Sequence, residues 1–512
     1  MPGSLNPTAL ARLLGQWNHG GAAAYRELAD VVRLLILDGR VALDTALPSE
    51  RTLSEALGVS RTTITAAYAN LREQGFLSSG QGSRGRTCLP NRTGRTGGAG
   101  TTSAPGLPAP DGVIDLAYAS LPASGEVVHR AFAAALTELP AMLPGFGYDV
   151  LGVPALREAI AARYTAAGAP TTAGQILVTS GAQHALNIVL RTLAGHASPG
   201  HALAGHALAG HAAGRQDKVL VDHPTYPNAL DAIRAAGFRP VPVALPPAQE
   251  RGAPESGWDM DAMEAALLQQ RPKMAYVVPD FHNPTGRLMP DAQRRRLVRA
   301  AAASGTVLVV DETLRELNLD GGVAAPLAAF SPAVVSIGSL SKSHWAGLRT
   351  GWIRAGEDLV QRFAAIRTTM DLGGPVVEQL AAAHLVRDVT EPLPARLAAL
   401  RGNRSALLEL LGAYLPRWQT EMPDGGLTVW CRLPAPCSTA LTVIAPEFGI
   451  RLAAGPRFGV GGAFEHYVRV PYTLPPDQLE TAVLALRSAQ DRLDAAPQLR
   501  RTLKDLPSAA IA

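Results

Sequence analysis

The sequence predicts two classes of fold in one chain: a small helical head closed by a hairpin, then a large α/β body built on a mainly parallel sheet. Three observations predict this. Apolar residues recur at helical spacing between Tyr25 and Leu71. The pattern then lapses into a stretch rich in Pro, Gly and Thr. From residue 114 onward, short apolar runs alternate with helical ones. Buried strands alternating with helices form parallel sheets that bind ligands beyond the carboxyl ends of the strands. At 512 residues the chain also exceeds what one hydrophobic core serves. The boundaries read as 1–88 for the head, 89–113 for a linker, 114–485 for the body and 486–512 for a last amphipathic stretch with a frayed, small-residue tail.

In the head, Tyr25, Leu28, Val31, Val32, Leu35 and Ile36 mark one helix face, and Gly39 can end that helix. Ser49 is an N-cap for a short second helix, with Leu53, Ala56 and Leu57 as its apolar face and Gly58 at its close. Ser60 caps a third helix whose buried stripe is Ile64, Ala67, Tyr68 and Leu71. Phe76-Leu77-Ser78 and Gly85-Arg86-Thr87 can pair as a hairpin around Gln81-Gly82-Ser83. This is the layout of a winged helix-turn-helix. In such a unit the first residues of the last helix reach base edges, while nearby cations and hydroxyls hold phosphates. Ser60, Arg61, Thr62, Thr63 and Thr65 are polar, short or forked, as that task requires. A three-helix packing module with a solvated face is the alternative. Charge leans toward DNA: residues 1–95 hold eleven Arg against seven acids, which accounts for the whole net charge of +4.

Residues 90–112 hold almost no core-forming side chains, and a flexible Gly part precedes a stiffer Pro part, as in a linker. In the body, Gly174–Ser180, Lys218–Val221, Met274–Val278, Val307–Glu312 and Val334–Gly338 read as strands. Each runs into a polar motif: Ser180-Gly181-Ala182, Pro224-Thr225-Tyr226-Pro227, His282-Asn283-Pro284-Thr285-Gly286, the pair Asp311-Glu312, and Ser339-Leu340-Ser341-Lys342 leading to Arg349. Lys342 is one of four lysines beside forty-three arginines. An amine can shed its proton and attack a carbonyl, whereas a guanidinium cannot.

Together these are the parts of a pyridoxal 5'-phosphate site. Lys342 would form the Schiff base with the aldehyde, and Asp311 would keep the pyridine nitrogen protonated so that the ring draws electrons. Asn283 would donate to the ring oxygen, and Tyr226 would stack on the ring. The amides of Gly181 and Ala182 at a helix start, with Ser180, Ser339, Ser341 and Arg349, would cradle the phosphate. Each motif alone is weak; five in this order are specific.

The segment LPSERTLSEALGVSRTTITAAYANLREQGFL resembles the GntR-type winged helix, and residues 114–485 resemble the fold-type I aminotransferases. Joined, they resemble a MocR-type regulator, and the seven-residue step from Lys342 to Arg349 fits that group. The resemblance implies that Arg51 and Arg61 contact DNA with Thr62 and Thr63, and that Gln81 and Gly82 form the wing tip. It implies that Arg469, in YVRVP, binds an effector carboxylate, and that Tyr148 reaches the cofactor phosphate of a partner subunit. It also implies a head-to-tail homodimer with each head over the other subunit. One departure stands out: aminotransferases carry a Tyr donor to the ring oxygen three residues after the strand-end Asp, where this chain has Leu314.

The remaining features narrow the setting. No apolar run spans a membrane, and no signal peptide precedes the head, so a cytoplasmic protein is expected. Three cysteines (Cys88, Cys431, Cys437) lack a metal-ligand pattern. Residues 195–215 repeat every five residues and place His196, His201, His206 and His211 at equal steps. A five-residue step turns about 140° on a helix, so the four share no face and a surface loop is expected, not a metal site. The functional expectation is a transcription regulator whose body senses pyridoxal phosphate or an amino compound and controls promoter binding. An active aminotransferase that carries a DNA-binding head is the alternative. A scaffold with a dead pocket is disfavoured by the intact lysine.

Overall fold

A computed structural model of the chain describes residues 5–87 except 16, 19–22, 38–40, 42–44, 74–75 and 79–84, then 112–195, 217–246, 257–321, 324–388 and 392–495. The described residues fall into two compact units. One holds those up to 100 with Ala123–Arg130; the other holds residues 101–122 and those from Ala131 onward.

The head contains α1 (Pro7–Leu14), α2 (Ala24–Leu37), α3 (Glu50–Leu57) and α4 (Arg61–Glu73), then β1 (Leu77–Ser78) antiparallel to β2 (Arg86–Thr87). The expected stripe of α4 is buried as read: Ile64, Ala67, Tyr68 and Leu71 pack with Leu28, Val32 and Leu53. The Tyr68 hydroxyl donates to the Pro48 carbonyl at 3.0 Å. Ser49 caps α3 by accepting from the Thr52 N–H at 3.2 Å, and Gly58 ends it at φ 66°. Two readings need correction. α1 was not foreseen, although Asn6 accepts from the Thr8 N–H at 2.9 Å and Pro7 opens the helix. Ala56 is exposed, because two turns of helix point only Leu53 and partly Leu57 at the core. Gly39, Gln81 and Gly82 lie outside the described residues.

The body runs β3 (Ile114–Asp115), α5 (Gly125–Met142), α6 (Pro154–Ala166), β4 (Ile176–Thr179), α7 (Ala182–Leu193), β5 (Lys218–His223), α8 (Pro227–Ala235), β6 (Arg239–Ala244), α9 (Met260–Gln270), β7 (Met274–Val277), α10 (Asp291–Ser304), β8 (Val307–Asp311), β9 (Val335–Ser339) and β10 (Gly351–Arg354). Then follow α11 (Glu357–Arg367), α12 (Val376–Arg387), α13 (Pro392–Tyr414), β11 (Thr428–Arg432), α14 (Ser438–Ile444), β12 (Ile450–Arg451), β13 (Ala453–Ala454), β14 (Tyr467–Pro471) and α15 (Pro476–Ala495). The central sheet has the order β4-β10-β9-β8-β7-β5-β6. Only β10 runs against its neighbours, so β4, β5, β7, β8 and β9 end on one side. Val, Ile and Leu runs suit strands covered on both faces: Val219, Val221 and Val309 pack one core, while Leu220, Leu308 and Val310 pack the other.

A smaller sheet of β11-β14-β13 packs against α13 and α15 in a third core. β6 and β10 were not among the strands read from sequence. Gly174 and Gln175 belong to a short 3-10 turn, not to β4. α15 crosses the expected boundary at 485, because Leu486, Ala489 and Leu493 remain buried in the third core. The histidine repeat from His196 to His211, the linker from 89 to 111, and residues 496–512 lie outside the described residues. Among the described residues no helix is long and apolar enough to cross a membrane.

Candidate functional site

The ends of the parallel strands open on a cavity of about 410 Å³. Ala182, Tyr226, Asn283 and Asp311 line it with Ser341, Lys342, Arg349 and Arg469, so eight residues expected from sequence meet in one place. The volume falls in the range of small-molecule sites, roughly 300–1,000 Å³.

Lys342 follows β9 in a tight turn. Its Nζ donates to the Ala119 carbonyl at 2.7 Å and lies 3.4 Å from the Ser120 hydroxyl. Burial, then Arg469 and Arg349, push its amine down to about 8, against the opposing pull of Asp311. Asp311 ends β8 with both oxygens engaged. Oδ2 accepts from the Tyr276 hydroxyl at 2.6 Å, and Oδ1 accepts from the Thr313 N–H at 3.0 Å. Glu312 points to the opposite face, as strand alternation requires, and accepts from the Tyr164 hydroxyl at 2.6 Å. Burial raises the Glu312 carboxyl above its ordinary range. The neighbouring acids therefore serve different sides of the sheet.

At the other end of the cavity α7 begins at Ala182, and no side chain caps its first turn. Arg349 adopts φ 47° and donates through Nη2 to the Ser180 carbonyl at 3.0 Å. Gly181 has φ 96°, and a Cβ there would sit 2.8 Å from that same Nη2. Glycine thus leaves the guanidinium room at an anion-favouring helix start. Tyr226 caps α8, and its hydroxyl accepts from Asn228 Nδ2 at 3.0 Å. Burial and then Asp311 raise its pKa, which keeps the phenol protonated. Arg469 lies with its guanidinium 5.0 Å from the Phe458 ring, donates to the Ala117 carbonyl, and approaches Asn283 Oδ1 at 3.5 Å.

Ser339, Ser180 and Tyr148 lie outside the lining of this chain's own cavity, Tyr148 as a residue expected to serve a partner subunit's site. Ser339 Oγ donates to the Thr350 carbonyl at 3.0 Å and accepts from the Ser341 N–H at 3.2 Å, so it braces the lysine turn instead of facing the cavity. Ser180 joins through its main chain: its N–H donates to His184 Nδ1 at 3.1 Å while its carbonyl holds Arg349. Tyr148 stands 74% exposed, away from the cavity. The sequence reading missed Tyr276, Arg457 and the strip Ala117–Ser120, all of which line the cavity. Tyr276 was in view as an apolar strand residue, and only the neighbouring strand shows what its hydroxyl meets.

The donor set fits pyridoxal phosphate: an amine of lowered basicity, a carboxylate with fixed donors, an amide, an aromatic ring, and an uncapped helix start beside an arginine. Leu314 lines the wall and offers no hydroxyl there.

In the head, α4 presents its first turn to solvent. Ser60 caps it by accepting from the Thr63 N–H at 3.1 Å, and the Thr62 and Thr63 hydroxyls lie 2.7 and 2.8 Å from Ser60 Oγ. Thr65 donates to Glu50 Oε2 at 2.8 Å. Arg61 is 71% exposed with Glu50 3.8 Å away, and Arg51 is 77% exposed with Glu55 3.9 Å away. Such loose surface pairs hold a guanidinium weakly and leave it able to reach a phosphate or base.

Residues 146–486 match the model of the aminotransferase class I and II family. The chain belongs to that family. Residues 24–85 match the gntR family of bacterial regulatory proteins. The chain is similar to 2-aminoadipate transaminase of Thermus thermophilus, 29% identical over 58% of this chain and 70% of that protein. It is also similar to the uncharacterized HTH-type transcriptional regulators YisV of Bacillus subtilis (26% identity, 81% of this chain, 86% of that one) and YjiR of Escherichia coli (25%, 88% and 95%). The crystal structure of the Thermus thermophilus α-aminoadipate aminotransferase LysN, in complex with N-(5'-phosphopyridoxyl)-L-leucine, covers 75% of this chain and 94% of its own at TM-score 0.65 and 25% identity. The regulators match across head and body alike. This family member is therefore a transcription regulator of the MocR type: a GntR DNA-binding head and an aminotransferase-like body of the pyridoxal phosphate-dependent fold.

Proposed function

We propose that the body acts as the sensor of this regulator, taking up pyridoxal phosphate and an amino-acid-like effector and thereby controlling how the heads engage an operator. When bound, the cofactor supplies an electron-drawing ring and an aldehyde that accepts amines. The remaining work belongs to the chain. Lys342 offers an amine whose pKa is pushed down to about 8. Asp311, fixed by Tyr276 and Thr313, holds a proton on the ring nitrogen. Arg349 and the start of α7 take the phosphate, Tyr226 covers the ring, and Arg469 takes a carboxylate.

The observation that carries the reading is the exposed edge of Arg61, Thr62 and Thr65 on the chain that also keeps the lysine cavity intact. Leu314 in that wall removes a donor that turnover would use, which favours a sensor over an aminotransferase. The domain boundaries near 88, 114 and 485 are proposed as the functional division. A cytoplasmic head-to-tail homodimer would bring two heads to two half-sites, with Arg51, Ser60, Arg61, Thr62, Thr63 and Thr65 at the duplex.

The test is a footprint on the protein's own upstream DNA with and without pyridoxal phosphate and amino acids. A protected region that changes with ligand is expected. An unchanged footprint, together with amino-group transfer at enzyme rates of about 1–10³ per second, would establish the aminotransferase instead.

A further inference from the structure

The cavity holds more positive charge than the cofactor uses. Among the described residues, Lys342, Arg349, Arg457 and Arg469 line it against a single carboxylate, Asp311. In the reading above, on which this inference rests, Arg349 answers the phosphate, Asp311 answers the ring nitrogen and Lys342 gives way to an amine. Arg469 and Arg457 remain.

Arg469 is 6% exposed, and its Nε is buried with no hydrogen-bond partner among the described residues. Its other nitrogens meet neutral acceptors, the Ala117 carbonyl and the Asn283 amide. A buried cation held only by neutral groups calls for an anion. Arg457 sits in the turn Gly455–Phe458, next to the ring that lies under Arg469. Its carboxylate partner, Asp231, is 3.7 Å away, 57% exposed, and shared with Arg234 at 3.3 Å. A solvated, shared pair yields readily to a ligand oxygen.

We propose that the effector is a dicarboxylic amino acid, with one carboxylate on Arg469 and the distal one on Arg457. A single carboxylate on Arg469 would leave Arg457 with only its loose, shared pair to Asp231. Arg457 comes from the turn Gly455–Phe458 and Arg469 from strand β14 beside it, so their spacing sets the length of ligand preferred.

Glutamate and glutamine test this, because they share shape and differ in the distal charge. Both are titrated calorimetrically into the full-length protein loaded with pyridoxal phosphate, with the cofactor absorbance followed in parallel. Glutamate is expected to bind about tenfold more tightly than glutamine. Arg457→Gln should erase that preference and leave glutamine affinity within about twofold, whereas Arg469→Gln should weaken both ligands. Equal affinities in the parent protein, equal losses of both ligands in Arg457→Gln, or no binding of either amino acid would overturn the assignment. A charge preference that depends on Arg457, but leaves the operator footprint unmoved, would uphold the assignment and sink the sensor reading. A chain that takes up no pyridoxal phosphate would overturn both.

Discussion

The head and the body place their working groups in opposite surroundings. Arg51, Arg61, Thr62 and Thr65 lie within fifteen consecutive residues on exposed helix starts, and their guanidinium groups stand mostly in water. The body draws its groups from Gly181 to Arg469, and nearly every one already has a partner inside the protein: Asp311 with Tyr276, Lys342 with Ala119, Arg349 with Ser180. The head works by reach and the body by preset charge. A head side chain can be removed with little effect on folding. In the body a substitution disturbs its partner as well, so each test needs a readout of ligand binding apart from stability.

The largest effect is expected at the lysine of the cavity. Lys342→Ala should abolish the yellow absorbance of lysine-linked cofactor completely, since among the described residues no other lysine lines the cavity. Absorbance spectra of protein mixed with pyridoxal phosphate, and mass analysis after borohydride reduction, check this. A surviving band would move the linkage elsewhere and break the contrast at its centre.

In the head, Arg61→Ala should weaken operator binding by about 1–3 kcal/mol if the guanidinium reads a base, with thermal stability changed by less than about 0.5 kcal/mol. Gel-shift titration at fixed salt and a melting curve separate the two. A loss that is uniform across operator and random DNA, with a salt slope reduced by about one, would place Arg61 on a phosphate instead.

Tyr276→Phe sharpens the body's side of the comparison. The hydroxyl donates to Asp311 in a fully buried site, and a hydrogen bond to a buried charge is worth about 1.5–3 kcal/mol. Affinity for pyridoxal phosphate should fall about tenfold by absorbance titration, and the pH midpoint of the bound cofactor's spectrum should shift. Asp311→Asn alone should cost more, and Tyr276→Phe added to it little further, because the hydroxyl acts through the carboxylate. A lowered melting temperature with unchanged cofactor affinity and spectrum would reduce Tyr276 to a packing role.

The same contrast explains what the sequence disclosed. The head was legible because caps, stripe and contact residues lie in one continuous run, where helical period and Ser49, Gly58 and Ser60 leave little choice. α1 escaped because eight residues give too few turns for a period, although Asn6-Pro7 marks its start. In the body the strand-end motifs disclosed the cavity, since each is a local pattern with its own chemistry. Pairings between strands did not show. Tyr276 meets Asp311 across a register that places β7 beside β8, and Ser339 turns to Thr350 because antiparallel β10 returns next to β9. β6 carries Pro240 and Pro242, which blur a strand signal, and at the sheet edge their missing N–H groups go unneeded. Arg457 was one arginine among forty-three until the fold set it beside Arg469.

The smallest effect expected is on pH. The Lys342 amine is depressed from the usual lysine value of 10.5 to about 8 in the folded chain. The neutral fraction that attacks the aldehyde therefore rises through pH 8, and initial cofactor uptake should be about fivefold slower at pH 7 than at pH 8, then level off. The stability consequence has the same sign. Between about pH 8 and 10.5 the unfolded chain keeps a proton that the folded chain has lost, so the apoprotein gains stability as pH rises through that window, and Lys342→Met should flatten the gain. Stopped-flow absorbance and melting curves across this range check both. Uptake that climbs steadily to pH 10 would mean that the amine sits in water like the head's arginines, and that the body does not preset its charge at the one residue where presetting matters most.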